Sequence, residues 1–365
     1  MKYFLIAGEI SGDQHAAKLM LALQKKDAEA EFAFLGGDSM ESVGGRAEVH
    51  IRDMAFMGFT QILSKLGQIR RNFKNAKAGI LDFRPDILIL VDYGGFNLRM
   101  AKWAHNQNIV THYYIPPKVW AWNSGRVKKI KAYVDYVYTT LPFENDFYAK
   151  SGVNCEYGGN PVLEDLQGVS KNSISQRQDD KIVALLPGSR SQEITRVLPV
   201  MLSVVNEFSD YKFVIAGITS HKNLYDQIIE KSPNVEVVFD QTRELLGKSI
   251  AALVTSGTAT LETALMDVPQ LVCYKTNPLS YHIAKLLIKV SYISLVNLIL
   301  DGPAVPEQIQ GSCKTEFLVS NLKMILPGGE NYEAQLDICR QLKILLGERS
   351  CSDYVSGLII NSLNG

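Results

Sequence analysis

The chain has 365 residues, of which 46% are hydrophobic and 21% charged, and its 38 basic and 38 acidic side chains cancel. That length exceeds one ordinary core and implies two domains, while zero net charge offers no overall field for nucleic acid. Five cysteines without a CxxC pair point to reduced thiols in a cytoplasmic setting and to no zinc site, and no charge-free apolar run reaches the roughly 18 residues that a bilayer requires.

In chain order, Tyr3–Ala7 is an apolar run of strand character, entered without the charged, apolar and cleavage regions of a secretory leader. It ends in Gly8-Glu9-Ile10-Ser11-Gly12-Asp13, ahead of a helical pattern to about Lys26. The glycine spacing is not the GxGxxG dinucleotide fingerprint. Two readings stay open: a tight turn with Ser11 or Asp13 as helix N-cap, or a loop that lets a bulky sugar sit against the backbone. Glu31–Leu35, Asp86–Val91, Ile109–Ile115 and Val134–Thr139 follow as apolar strands with helices between. That alternation predicts a parallel sheet covered on both faces.

Within this half, residues 54–77 carry Phe59, Ile62, Leu63, Leu66, Ile69 and Phe73 at spacings of three and four, one face of a helix. Lys65, Arg70, Arg71, Lys74 and Lys77 make the rest basic, and no acid lies between Asp53 and Asp82. This is the pattern of a helix lying on an anionic membrane surface; the alternative is a core-facing helix with a solvated basic side. Met54, Phe56 and Met57 extend the apolar patch beyond one helix face, which favours the membrane reading. Residues 279–290 repeat the theme more weakly.

Asp92 ends a strongly apolar strand and precedes Tyr93-Gly94-Gly95-Phe96-Asn97. A partly desolvated carboxylate at a strand's carboxyl end can be tuned toward base duty; the alternative is a cap on the next helix. The loop 115–126 holds Trp120 and Trp122, which in an extended segment share a face, as a core staple or as a wall for sugar or acyl chain. His112 lies mid-strand and reads as a core histidine, and the six histidines show no metal-ligand spacing.

The polar stretch Gln167–Asp180 reads as a linker, giving domains 1–166 and 167–330 and a helical C-terminal segment 331–365. After it the alternation restarts with Ile182–Leu186, Lys212–Ala216, Val235–Phe239, Ile250–Val254 and Gln270–Tyr274. Ligands of open parallel sheets bind beyond the strands' carboxyl ends, so two such domains predict a cleft between them. The turn Thr255-Ser256-Gly257-Thr258 joins a strand to a helix that carries Thr260 and Glu262. Unpaired N–H groups at a helix start attract phosphate, hydroxyls add donors, Gly257 permits close approach, and an acid one turn later suits a ribose diol. Gly188-Ser189-Arg190 ends the first strand of this half, where Arg190 can contact a diphosphate bidentately.

The segments AGEISGD (7–13), MAFMGF (54–59), VDYGGFN (91–97), YYIPPKVWAW (113–122), LPFE (141–144), LLPGSR (185–190), SGTATLE (256–262) and SYISLVNLI (291–299) resemble those of lipid-A-disaccharide synthases, over nearly the whole chain. The resemblance implies the GT-B architecture, two Rossmann-like parallel-sheet domains facing across a cleft. It implies inverting transfer of 2,3-diacylglucosamine from its UDP derivative to 2,3-diacylglucosamine 1-phosphate, giving a β-1,6 disaccharide and UDP. It also implies a peripheral enzyme on the inner face of a bacterial inner membrane, no cofactor or metal, and a homodimer through exchanged C-terminal segments.

On that resemblance Arg190, Ser256, Gly257, Thr258 and Glu262 hold UDP, Asn297 positions donor or acceptor, and Asp92 is the general base, with Glu9 and Asp13 as the other carboxylates able to serve. The family's usual Gly-His-Pro reads Gly159-Asn160-Pro161 here. Competing readings are another GT-B enzyme acting on UDP-N-acetylglucosamine, a dinucleotide-dependent oxidoreductase, which the missing GxGxxG disfavours, and a non-catalytic nucleotide-sugar binder.

Overall fold

A computed structural model describes residues 1–53, 66–122, 124–230, 232, 234–278, 281, 285 and 290–362. Most of 279–290 and the docking residues Met57, Phe59, Ile62 and Leu63 lie outside the described residues. The chain divides into two compact units, 1–161 with 349–365, and 162–348. Each is a Rossmann-like parallel-sheet unit.

The first unit is built on seven parallel strands: β1 (Lys2–Ala7), β2 (Glu31–Gly36), β3 (Arg46–His50), β4 (Ile87–Val91), β5 (Val110–Tyr114), β6 (Tyr136–Thr139) and β7 (Cys155–Tyr157), in the order β3-β2-β1-β4-β5-β6-β7. Alternate residues of one strand feed opposite faces, as period-two geometry demands. Phe4 and Ile6 join a core with Leu88, Leu90 and Tyr113; Tyr3, Leu5 and Ala7 join another with Leu19, Leu23, Val355 and Ile359. The second core is closed by helices Ile10–Lys26 and Cys351–Asn361.

The second unit carries β8 (Ile182–Leu186), β9 (Lys212–Gly217), β10 (Glu236–Phe239), β11 (Ser249–Thr255), β12 (Gln270–Tyr274) and β13 (Glu307–Ile309), ordered β10-β9-β8-β11-β12-β13. Gln167–Asp180, expected as a linker, contains the helix Ile174–Asp180; Ser173 caps it, and Arg177 is buried with its guanidinium on the carbonyls of Met266 and Asp267. The residues after 331 do not form one segment. Helix Tyr332–Leu346 puts Tyr332 and Leu336 into the second unit's core, whereas Cys351–Asn361 belongs to the first.

Both sheets reverse their strand order at one place, and there the loops diverge and leave room for a ligand. In the first unit the reversal lies between β1 and β4, where Ala7 pairs with Val91. In the second it lies between β8 and β11, where Leu186 pairs with Val254. The loops after those four strands are Gly8–Asp13, Asp92–Asn97, Pro187–Arg190 and Ser256–Thr260.

Candidate active site

At the first reversal Asp92 and Tyr93 both have φ of +47°. Two successive left-handed residues other than glycine are strained, so the surroundings must hold them. The Asn97 amide donates to the carbonyl of Asp92 at 2.8 Å and to that of Val91 at 3.2 Å. The Tyr113 hydroxyl also donates to the Asp92 carbonyl, at 2.8 Å, and the Asp92 N–H donates to Tyr114 at 3.2 Å. The following helix, Gly94–His105, takes Tyr93 as its N-cap with no side-chain cap bond, so Asp92 does not cap it. Burial raises the Asp92 carboxyl above the ordinary aspartate range; the Lys118 ammonium, the Tyr93 N–H and His15 oppose that rise.

The Gly8–Asp13 loop departs from the capping expectation. Helix Ile10–Lys26 is preceded by Glu9 with no side-chain cap, so neither Ser11 nor Asp13 caps it. Asp13 is 2% exposed, and its carboxylate accepts the N–H groups of Gly37 (2.6 Å), Ser39 (2.9 Å) and Met40 (3.2 Å). It anchors the start of helix Asp38–Val43. A carboxylate so placed has its oxygens committed to the backbone of another segment. At Gly8, a Cβ would stand 2.3 Å from the Tyr93 ring, and at Gly12 it would approach Ala7 and Asp92. The Tyr93 ring thus bars a side chain at Gly8, whereas at Gly12 one would meet only ordinary contact. Glu9 and Ser11 are exposed at the rim.

Trp120 and Trp122 lie in the short helix Val119–Trp122, not in an extended segment. The Trp120 indole N–H donates to Glu144 at 2.8 Å and its ring meets Phe143 edge-on at 4.8 Å. Glu144 is fully buried and also accepts from Lys118 (2.8 Å), Thr140 N–H (3.2 Å) and Leu141 N–H (3.1 Å). Lys118 bonds Thr140 as well, at 3.0 Å. This staple holds Lys118 near the Asp92 turn, where Pro117 packs on Gly94. Asn160 is buried and donates to the Thr140 carbonyl at 2.9 Å. His112 is a buried core histidine, bonded to Tyr138 at 2.8 Å and stacked on Tyr136.

At the second reversal, Gly188 has φ of +104° and leaves room for Glu193. Glu193 accepts the N–H groups of Ser189 (3.2 Å) and Arg190 (3.3 Å). Those two amides are therefore taken. The Arg190 side chain is 73% exposed, with one contact to Glu193 at 3.3 Å, so it is free to reach an anion.

Helix Thr258–Leu265 opens differently. Gly257 precedes it with φ of +145° and open space where a Cβ would lie, and Thr258 is exposed. Helix geometry leaves the first N–H groups without intrahelical partners. The neighbouring hydroxyls turn inward. Ser256 donates to Ile293 carbonyl at 2.7 Å, and Thr260 donates to Gly257 carbonyl at 2.8 Å while accepting the Leu295 N–H at 3.2 Å. Ser256 and Thr260 thus shape the turn rather than offer hydroxyl protons outward. Glu262 is partly buried and takes Arg243 at 3.4 Å; Arg243 also bonds Asp165 at 3.0 Å. Burial raises the Glu262 carboxyl and Arg243 opposes it. Asn297 is 1% exposed, with its amide on both the carbonyl and N–H of Val305 and on Glu307.

Glu144, Lys118, Arg243 and Glu307 escaped the sequence reading. Only Glu144 has a local signal, its place three residues after Leu141 at a helix start. Helix Leu66–Phe83 exposes Arg70, Arg71 and Lys74. Phe73 turns inward instead, meeting Phe96 at 5.4 Å and packing with the first core, so from there on the apolar face serves the core. Among the described residues no helix is long and apolar enough to cross a membrane. In that same set Asp38, Glu41 and His50 bring ligand atoms within 4.8 Å, but Asp38 is ion-paired with Arg52 at 2.8 Å.

A family model described as lipid-A-disaccharide synthetase matches residues 3–356. The lipid-A-disaccharide synthase of Syntrophus aciditrophicus (strain SB) is 36% identical over 355 residues, covering 94% of this chain and 93% of that one. That of Myxococcus xanthus (strain DK1622) is 32% identical over 373 residues, covering 99% and 97%. Among solved structures, a UDP-GlcNAc 2-epimerase from Neisseria meningitidis bound to UDP-GlcNAc superposes with a TM-score of 0.63 at 13% identity, covering 100% of both chains. The glycotransferase of kitacinnamycin gives 0.68 at 11% identity, covering 99% and 98%. At such identities the structures show a shared fold and nothing finer.

Proposed function

The chain belongs to the lipid-A-disaccharide synthetase family, and from that premise we propose that it joins UDP-2,3-diacylglucosamine to 2,3-diacylglucosamine 1-phosphate. The second unit holds the UDP. Its diphosphate rests on the N–H groups at the start of helix Thr258–Leu265, where Gly257 leaves the approach open. Arg190 supplies a mobile guanidinium to the same charge, and Glu262 offers a carboxylate to the ribose. Asp92 in the first unit is the general base. It takes the proton of the acceptor's 6-hydroxyl as that oxygen attacks the anomeric carbon, and the carbon–oxygen bond to UDP breaks with its electron pair leaving on UDP. Attack opposite the leaving group inverts the anomeric centre. Glu9 and Ser11 border the acceptor. Asn297, with no outward polar atom, positions its own segment.

The observation that carries this reading is Asp92 itself: a carboxyl raised by burial, fixed in a strained turn at the sheet's reversal point. Both substrates bear acyl chains, and the exposed Arg70, Arg71 and Lys74 support docking of the 54–77 segment, through its basic side, on an anionic membrane surface at the cytoplasmic face. Dimerisation through the C-terminal segment belongs to the same proposal. The test is mass spectrometry of products from synthetic UDP-2,3-diacylglucosamine and 2,3-diacylglucosamine 1-phosphate. A disaccharide 1-phosphate with stoichiometric UDP is expected. No disaccharide, or turnover of unacylated UDP-N-acetylglucosamine alone, would overturn the reading.

A further inference from the structure

Glu307 opens β13, the edge strand of the second sheet, where it pairs with Val272 of β12. Sequence gives it no role: it ends no apolar run and caps no helix of its own. Its carboxylate nevertheless gathers one short stretch of chain. It accepts the N–H of Ile293 at 3.1 Å, the N–H of Ser294 at 2.9 Å and the Asn297 amide at 2.9 Å. A carboxylate bonded by several N–H groups is worth more than neutral pairs of the same count.

The stretch so gathered is the one that closes on the nucleotide turn. The Ile293 carbonyl receives the Ser256 hydroxyl at 2.7 Å, and the Leu295 N–H reaches Thr260 at 3.2 Å. Thr260 passes the constraint to the Gly257 carbonyl at 2.8 Å. A continuous path of hydrogen bonds therefore runs from Glu307 through 293–295 to Ser256, Gly257 and Thr260. Gly257 has no Cβ contact of its own to fix it, and its φ of +145° lies where few residues rest. The conformation that leaves the helix start open must be held from elsewhere.

We propose that Glu307 is a positioning residue for the nucleoside-diphosphate site, latching residues 293–295 onto the Ser256–Thr260 turn so that the first N–H groups of the helix stay aligned for a diphosphate. It touches neither substrate. The inference rests on the placement of UDP given above.

The experiment is calorimetric titration of UDP into the full chain and into Glu307→Ala, Glu307→Gln, Ser256→Ala and the Glu307→Ala/Ser256→Ala double variant, with steady-state KM for donor and acceptor. Glu307→Ala is expected to weaken UDP by about tenfold or more and to raise donor KM while leaving acceptor KM within twofold, a split that general loss of fold would not produce. Glu307→Gln keeps the length and one acceptor oxygen, so it should recover most of the loss and remain about threefold weak. The double variant should be no weaker than Glu307→Ala, because both changes cut one path. Wild-type UDP affinity in Glu307→Ala overturns the proposal. Should that variant not fold, unchanged UDP affinity in Glu307→Gln does so instead. If the unaltered chain binds no UDP, the nucleotide placement falls and this inference falls with it; if the unaltered chain binds UDP and the Glu307 variants bind it equally well, the inference alone is lost.

Discussion

The Tyr113 hydroxyl donates a 2.8 Å hydrogen bond to the main-chain carbonyl of Asp92. A side chain from β5 thus fixes the backbone that ends β4, and the Asp92 carboxyl is left to point where the strained turn aims it.

In its proposed role as base, Asp92 should matter to rate more than to binding. A positioned base contributes roughly 10²–10⁴ in rate, so Asp92→Asn should lower kcat by about that factor with UDP affinity unchanged. Burial raises the Asp92 carboxyl, and the base works only when ionised. Activity is therefore complete at neutral pH and lost as pH falls through a value above the usual aspartate range near 3.9. A kcat/KM profile whose acid limb sits at or below that value would contradict the assignment.

Arg190 should behave in the opposite way. In the proposed role its charge meets the diphosphate before and during departure, so Arg190→Ala should weaken UDP binding and turnover together. Hydrogen bonds to charged groups contribute about 1.5–3 kcal/mol, which corresponds to roughly 10- to 100-fold. UDP titration beside steady-state kinetics checks this, and undiminished UDP affinity would exclude the contact.

Glu144 is a test of structure alone. Removing its carboxylate leaves Lys118, Trp120 and two buried N–H groups without their acceptor, and breaking such a centre costs about 3 kcal/mol. The three tryptophans, 103, 120 and 122, all lie in the first unit, so tryptophan fluorescence reports that unit's unfolding by itself. In urea, Glu144→Ala should move the fluorescence midpoint down and leave the second unit's transition, followed by far-ultraviolet dichroism, where it was.

His112 sets part of the acid stability. Burial holds it to about 3, whereas an unfolded histidine titrates near 6.5. The unfolded chain therefore binds the extra proton between those values. This contribution is complete above about 6.5 and is lost as pH falls toward 3, at up to about 1.4 kcal/mol per pH unit. His112→Phe should flatten the first unit's stability profile over that window. An unchanged slope would show that the ring is protonated while folded.

The basic face of helix Leu66–Phe83 makes a membrane prediction. Near an anionic surface each basic residue contributes about 1 kcal/mol, so Arg70→Glu, Arg71→Glu and Lys74→Glu together should reduce co-sedimentation with phosphatidylglycerol vesicles by roughly 10²-fold or more. Equal binding by the variant, or no salt dependence in the parent, would remove the surface from that role.

Strands with both faces buried are legible because each is a continuous apolar run, and DILILV shows it best. β3, β7 and β13 are not. They are short and partly polar, as sheet edges tend to be. The site divides along the same line. Asp92 is visible because it terminates an apolar run, and Gly257 because a glycine between strand and helix has few other uses. Glycine alone is an incomplete guide, since at 8 and 188 the space it leaves is filled by Tyr93 and Glu193. Hydroxyls mislead at Ser256 and Thr260, because sequence does not say which way an O–H turns. Glu307 stays hidden because its partners become neighbours only after folding.

The helix Cys351–Asn361 supplies Cys351, Val355 and Ile359 to a core whose other members include Tyr3, Leu19 and Leu23. On a ribosome, that core must wait for residues 351–361, while the intervening unit of residues 162–348 has emerged and can mature first. Assembly therefore runs against the order of synthesis, and a premature stop near codon 350 would spare the later-made half and leave the earlier-made one with an uncovered greasy face.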